Sequence, residues 1–144
     1  MSDELSIDLS ILQSHMDGML DRVHHNDLSL RRFQAFEMKL LNLNSLSEMF
    51  TNIFDDAKAL FDLDIISICL VDEHGDIAKY LIEDGFQFKQ HSELFFLENE
   101  DLLKSTFGFA LRPYLGPFKS VKCASFFPNV ERKPSSIAII PLHR

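Results

Sequence analysis

Arg112, Tyr114, Lys119 and Lys122 lie close together in the sequence and form the one grouping in this chain suited to hold an anion. An arginine offers a planar fork of donors to a carboxylate or phosphate, and a tyrosine adds an amphipathic wall. Phe88 and Phe96, with Phe86 and Phe95, would supply the apolar side of such a pocket. The competing reading is a rigid surface turn whose arginine pairs with an acid of the middle segment, beside phenylalanines that are plain core. The remaining reactive side chains lack the company that chemistry needs. Cys69, Cys123 and Ser125 have no adjacent base to activate them. His74 stands between Glu73 and Asp76 in what reads as a solvated turn, and His91 in a polar arm; one histidine without a defined pocket does not make a haem site. His24 and His25 are neighbours, so on a helix they point in different directions. Asp55 and Asp56 suit the solvated exterior of a helix. No catalytic residue, metal or cofactor is expected.

The elements that would position these residues begin with a proline-free stretch from Leu5 to Leu43. Its apolar residues fall at Leu12, Met16, Met19, Val23, Leu30, Phe33 and Leu40, the 3–4 spacing of one helical stripe. Written as heptads, the seam is Met16, Met19, Val23, Asn26, Leu30, Phe33, Glu37 and Leu40. A polar Asn26 in such a seam can fix register and oligomeric state in a coiled coil. Equally, His24-His25-Asn26-Asp27 can mark a break, with Asp27 capping a second helix. Under either reading the stripe needs a cover, and a second copy of the chain is the simplest one. Residues 1–43 are therefore read as a helical dimerisation or signalling segment, and 44–144 as a domain.

Ser45 and Glu48 have the spacing of a capping box, and Leu46, Met49, Phe50, Ile53, Phe54, Ala57, Leu60 and Phe61 continue it as an amphipathic helix. Ile65 to Val71 is apolar at almost every position, the mark of a strand covered on both faces in the middle of a sheet. The connection Asp72-Glu73-His74-Gly75-Asp76 then predicts a hairpin, with Ile77 to Ile82 as its second strand. Phe86 to His91 reads as a short strand or an irregular arm, and Glu98 to Phe107 as a short helix with Gly108 at its C-terminal cap. Arg112 to Phe118, with two prolines and a glycine, reads as a rigid turn. Val121 to Phe127 fits a strand or a short helix. Ser135 to Leu142 is a final strand, and Pro141 belongs where its pairing stops. The fold class is α+β.

Composition narrows the functional classes. The 144 residues suffice for one domain with a core, and 46% hydrophobic content is that of a globular chain. The net charge of −8 is uneven: residues 48–101 carry −11 and residues 102–144 carry +6. Such acidity argues against nucleic acid, which needs a clustered positive face. No apolar run is long enough to span a membrane, and the acidic N-terminus is unlike a signal peptide. Two cysteines outside any metal-ligand spacing fit reduced thiols in a cytoplasmic protein.

The order of a long helix, an amphipathic helix, a hairpin, a helix-containing connection, a proline-bearing turn and a strand ending Pro141-Leu142 resembles a GAF domain. The stretch DIISICLVDEHGDIAKYL is similar to that family's first two strands, and Ser135 to Leu142 to its penultimate one. More narrowly, Arg112-Pro113-Tyr114-Leu115-Gly116-Pro117, then Phe126-Phe127-Pro128, then the Pro-Leu strand resemble a bacterial GAF-like family of unknown function. That family occurs alone or as the N-terminal sensor of diguanylate cyclases. The resemblance covers about Leu28 to the end. It implies an antiparallel sheet flanked by helices and a non-enzymatic sensory role. It also implies a C-terminally incomplete domain, because the family continues with a last strand and a helix, and an output domain not present in this chain. The asparagine-to-glutamate signature of cyclic-nucleotide-binding GAF domains is missing. Cys123 is followed by Ala124 rather than by the histidine beside a bilin-binding cysteine. Two functions follow as expectations: a sensor for a small anionic ligand that signals through a helical homodimer, or a stand-alone dimerisation scaffold that binds nothing.

Overall fold

The computed structural model describes residues 2–119, 123–128 and 132–142. The chain forms two compact units, Met1–Asn42 and Leu43–Arg144. The first is a single helix, α1 (Ser2–Leu41), which buries none of its residues. Of the two readings of the His24–Asp27 region, the unbroken helix is the observed one. Asp27 lies inside it and its carboxylate pairs with Arg31 at 3.1 Å, one turn on, instead of capping a new start. The helix stops where the Asn42 side chain donates from Nδ2 to the Met38 carbonyl at 3.0 Å.

The second unit opens with α2 (Leu46–Asn52). The Glu48 backbone N–H donates to Ser45 Oγ at 3.1 Å, as the capping spacing predicts. In return Glu48 Oε2 accepts from the Asn44 N–H, one residue earlier than the usual box. The helix widens into a π-helical turn (Ile53–Ala57) and ends as α3 (Lys58–Leu60). Its stop is a Schellman motif: Asp62 takes a left-handed φ of 52°, and the Leu63 N–H donates back to the Lys58 carbonyl at 2.9 Å.

After β1 (Ile68–Val71) the structure departs from the sequence reading. The expected hairpin is absent, and Asp76–Glu83 is a helix, α4. Three local interactions account for it. Gly75 enters with φ 71°, and the Asp72 carboxylate accepts from the Ala78 N–H at 3.1 Å, which gives a first-turn donor its partner. At the other end Gly85 takes φ 85°, and the Phe86 N–H donates to the Leu81 carbonyl at 2.9 Å. That is a second Schellman stop, and its paired side chains, Leu81 and Phe86, are both buried.

The helix carries the chain across to β2 (Leu94–Leu97), which pairs with β1 in parallel, Ile68 opposite Leu94 and Val71 opposite Leu97. The central, doubly covered strand predicted from Ile65 to Val71 is thus a four-residue strand of a two-stranded ladder, half-buried throughout. A helical crossover is what parallel pairing requires, whereas the predicted turn would have given antiparallel neighbours.

Next come α5 (Asp101–Phe107), β3 (Tyr114–Pro117) and β4 (Ser136–Ile139). Gly108 closes α5 at φ 77°, as its position predicts. The rigid turn expected at Arg112 to Phe118 is instead strand β3, antiparallel to β4 with Tyr114 opposite Ile139. Pro117 sits at the ladder's end, where its missing N–H costs no interior bond, and Pro141 lies just past β4, as expected. The residues of the Val121–Phe127 prediction that are described include a 3-10 turn at Ala124–Phe126; Val121 and Lys122 lie outside the described residues. The architecture is therefore mixed α and β. Among the described residues its strands form two separate two-stranded ladders, one of them parallel, in place of a single antiparallel sheet.

The core joins Phe50 and Phe54 of the α2–α3 helix to Leu81, Phe86 and Leu94. His91, expected in a polar arm, stacks between Phe54 and Phe86 with ring centroids 5.6 and 5.5 Å away. Ser67 ties this core to the C-terminal part: its hydroxyl lies 2.6 Å from the Phe126 carbonyl and 3.2 Å from that of Glu93.

Candidate functional site

The residues predicted to line an anion pocket are divided by the fold. Phe88 and Phe96 do meet, with centroids 5.9 Å apart, but as half-buried members of the aromatic core. Tyr114 is half-buried on β3 and its hydroxyl donates to the Pro117 carbonyl at 2.5 Å. Arg112 is exposed just before that strand. Lys122 lies outside the described residues.

A cleft does exist in the second unit, and neither Arg112, Tyr114, Phe88 nor Phe96 lines it. It has a volume of about 510 Å³ and draws on four stretches: Lys58 of α3, Asp64 and Ile65 ahead of β1, Ser92 and Glu93 ahead of β2, and Pro128 with residues 132–135 ahead of β4. The Glu93 carbonyl accepts from the Ile68 N–H at 2.9 Å as well as from Ser67, so the backbone under its side chain is fixed by β1. One carboxylate oxygen of Glu93, Oε2, is buried without a hydrogen-bond donor. No local pattern announces this site, because its charged residues are spread over four separate segments.

The seam residues fare differently. Met16, Met19, Val23, Leu30 and Phe33 lie along one line of α1 and are 54–65% exposed; Leu40 is half-buried. Leu5, Leu9 and Leu12 extend the same 3–4 spacing toward the N-terminus and are just as exposed. In heptad terms Arg22 precedes Val23 and Asp27 follows Asn26, the flanking positions that face each other across a parallel pair of helices.

Among the described residues Cys69, on β1, is the one titratable group with a resolved shift: burial pushes its thiol up to about 11. That makes it a poor nucleophile at neutral pH. Among the described residues no cluster of three or more His, Cys, Asp or Glu is placed to hold a metal, and no helix is long and apolar enough to cross a membrane. Comparison with known protein families, with curated proteins and with solved structures finds no match for this chain.

Proposed function

We propose that this chain is a non-catalytic regulatory module that works as a parallel homodimer joined through α1. The observation that carries the reading is the exposed seam from Leu5 to Leu30. From Leu5 to Leu30 the helix rises about 38 Å, and an exposed apolar line of that length, interrupted at Asn26, is the mark of an interaction surface. Helices that bury no side chain draw little stability from their own propensity, so pairing gives this one what its fold lacks. A second copy is the occupant that fits. The 3–4 spacing suits knobs-into-holes packing against itself, and in parallel register Arg22 of one helix meets Asp27 of its partner. The hairpin that carried part of the resemblance to GAF-like sensors is a strand and a helix in this fold. What supports a regulatory role from that side is the likeness of the Arg112–Pro117, Phe126–Pro128 and Pro-Leu motifs. In that role the paired helices relay a change to an output domain such as a diguanylate cyclase. Such relay requires a signal with different affinity for two helix arrangements.

Sedimentation of the full chain tests the pairing. The wild type should be a dimer. The double variant Met19→Lys/Val23→Lys should raise the dissociation constant by about a hundredfold or more, since it puts four charges into one apolar seam. A monomeric wild type at high micromolar concentration would sink the reading.

A further inference from the structure

The cleft ahead of β1 and β2 belongs to the second unit alone, and it is lined by charges of both signs. Lys58 and Arg132 bring positive charge to a lining that also carries Asp64 and Glu93; Lys133 lies there too, engaged in an interaction of its own. Among the described residues none of these four is ion-paired, although the chain forms ion pairs elsewhere, at Asp27–Arg31 and Glu100–Lys104. Glu93 is the sharper case. Its carbonyl is held by the Ile68 N–H, which fixes where its side chain starts, and its Oε2 is buried with no donor. A buried carboxylate oxygen without a partner is costly, and the group that relieves the cost is a cationic donor.

We propose that this cleft binds a free α-amino acid, its ammonium seated against Glu93 and Asp64 and its carboxylate against Arg132 and Lys58. Charge balance selects a zwitterion. A simple anion would satisfy Arg132 and Lys58 but add to the charge of Glu93, and a simple cation would do the reverse. One ligand carrying both groups answers charges of both signs, and the arginine fork suits a carboxylate. The hydroxyls of Ser92 and Ser135 lie in the same lining as further partners. A volume of about 510 Å³ is within the range of small-molecule sites and leaves room for a side chain.

Calorimetry and thermal-shift measurements on the full chain, with each of the twenty common L-amino acids at millimolar concentration, test the proposal. At least one should bind. Its affinity should fall about ten- to hundredfold when its amine is acetylated, when its carboxylate is amidated, and in each of the variants Glu93→Gln and Arg132→Gln. Arg132 is exposed, so its variant reports on the site even if Glu93→Gln disturbs folding. The proposal is overturned if none of the twenty produces heat or a shift, if the capped derivatives bind as well as the free acid, or if Arg132→Gln binds like the wild type. Sedimentation of the same samples reads the helix pairing separately, so loss of one activity does not imply loss of the other.

Discussion

Two amphipathic helices in this chain carry the same kind of apolar stripe and use it in opposite ways. The stripe of the α2–α3 helix is covered from within its own unit: Phe50, Phe54 and Ala57 are buried, with Leu81, Phe86 and Leu94 completing the core around the two phenylalanines. That of α1 stays exposed at every seam position from Leu5 to Leu30 that bears an apolar side chain. Periodicity thus identifies a face that wants covering and leaves open what covers it. A stripe followed at once by strands and a crossover helix finds its cover in the next segments of chain. One that runs for 40 residues without a turn has none within its own unit.

The largest effects should separate the two stripes. Phe54→Ala removes a buried ring and should cost about 3–5 kcal/mol in chemical denaturation, while Leu12→Ala on α1 should leave that transition within about 0.5 kcal/mol and weaken only association. Equal losses from both would mean that α1 is covered after all. A middle-sized effect concerns how the buried elements are ended. Gly85→Ala places a Cβ at a left-handed φ of 85° and should cost about 1–2 kcal/mol, measured by the midpoint of urea unfolding. Glycine at 18, in mid-helix on α1, is the contrast: Gly18→Ala should stabilise the helix by about 1 kcal/mol or less, visible as increased helicity by circular dichroism.

The smallest effect is chemical. With its thiol raised from 9.0 to about 11, Cys69 in the folded chain should react with iodoacetamide more slowly than a free thiol, and the rate should rise through pH 11 instead of 9. The folded state holds that proton more tightly than the unfolded one, so this group's contribution to stability is present below pH 9 and declines as pH climbs toward 11. Peptide mapping distinguishes Cys69 from Cys123, which is fully buried. A midpoint near 9 would show that β1 is better solvated than its packing indicates.

What could be read from the sequence was governed by range. Ser45, Gly108 and Pro141 act within a few residues of themselves, and each does in the fold what its position predicts, while Glu48 misses the expected partner by one residue and takes the Asn44 N–H. The segment Ile77–Ile82 is ambiguous in the sequence because six residues fit either period. Ile77 and Leu81 make a helical pair as readily as alternate positions of a strand, and the decisive bond, from Ala78 to Asp72, spans the very loop that was taken for a hairpin turn. Gly85 followed by an apolar Phe86 is the local sequence signal of a helix stop, and it favours the helix over the strand. At β3, Pro113 and Pro117 suggest a turn, yet Pro113 precedes and Pro117 ends a short strand that pairs with residues 19 to 25 positions on. The cleft is the extreme case. Its carboxylates and cations come from four separate stretches, and only the parallel pairing of β1 with β2 brings Asp64 and Glu93 to one side of the molecule.

The widened turn at Ile53–Ala57 has a bearing on how this chain tolerates change in length. Such a turn holds one residue more than regular α-helical winding requires. Deleting a single residue there would let the helix close into uniform coils while the Schellman stop at Asp62 and the entry to β1 kept their place, whereas the same deletion within Leu46–Asn52 would swing every later side chain round by about a quarter of a circle.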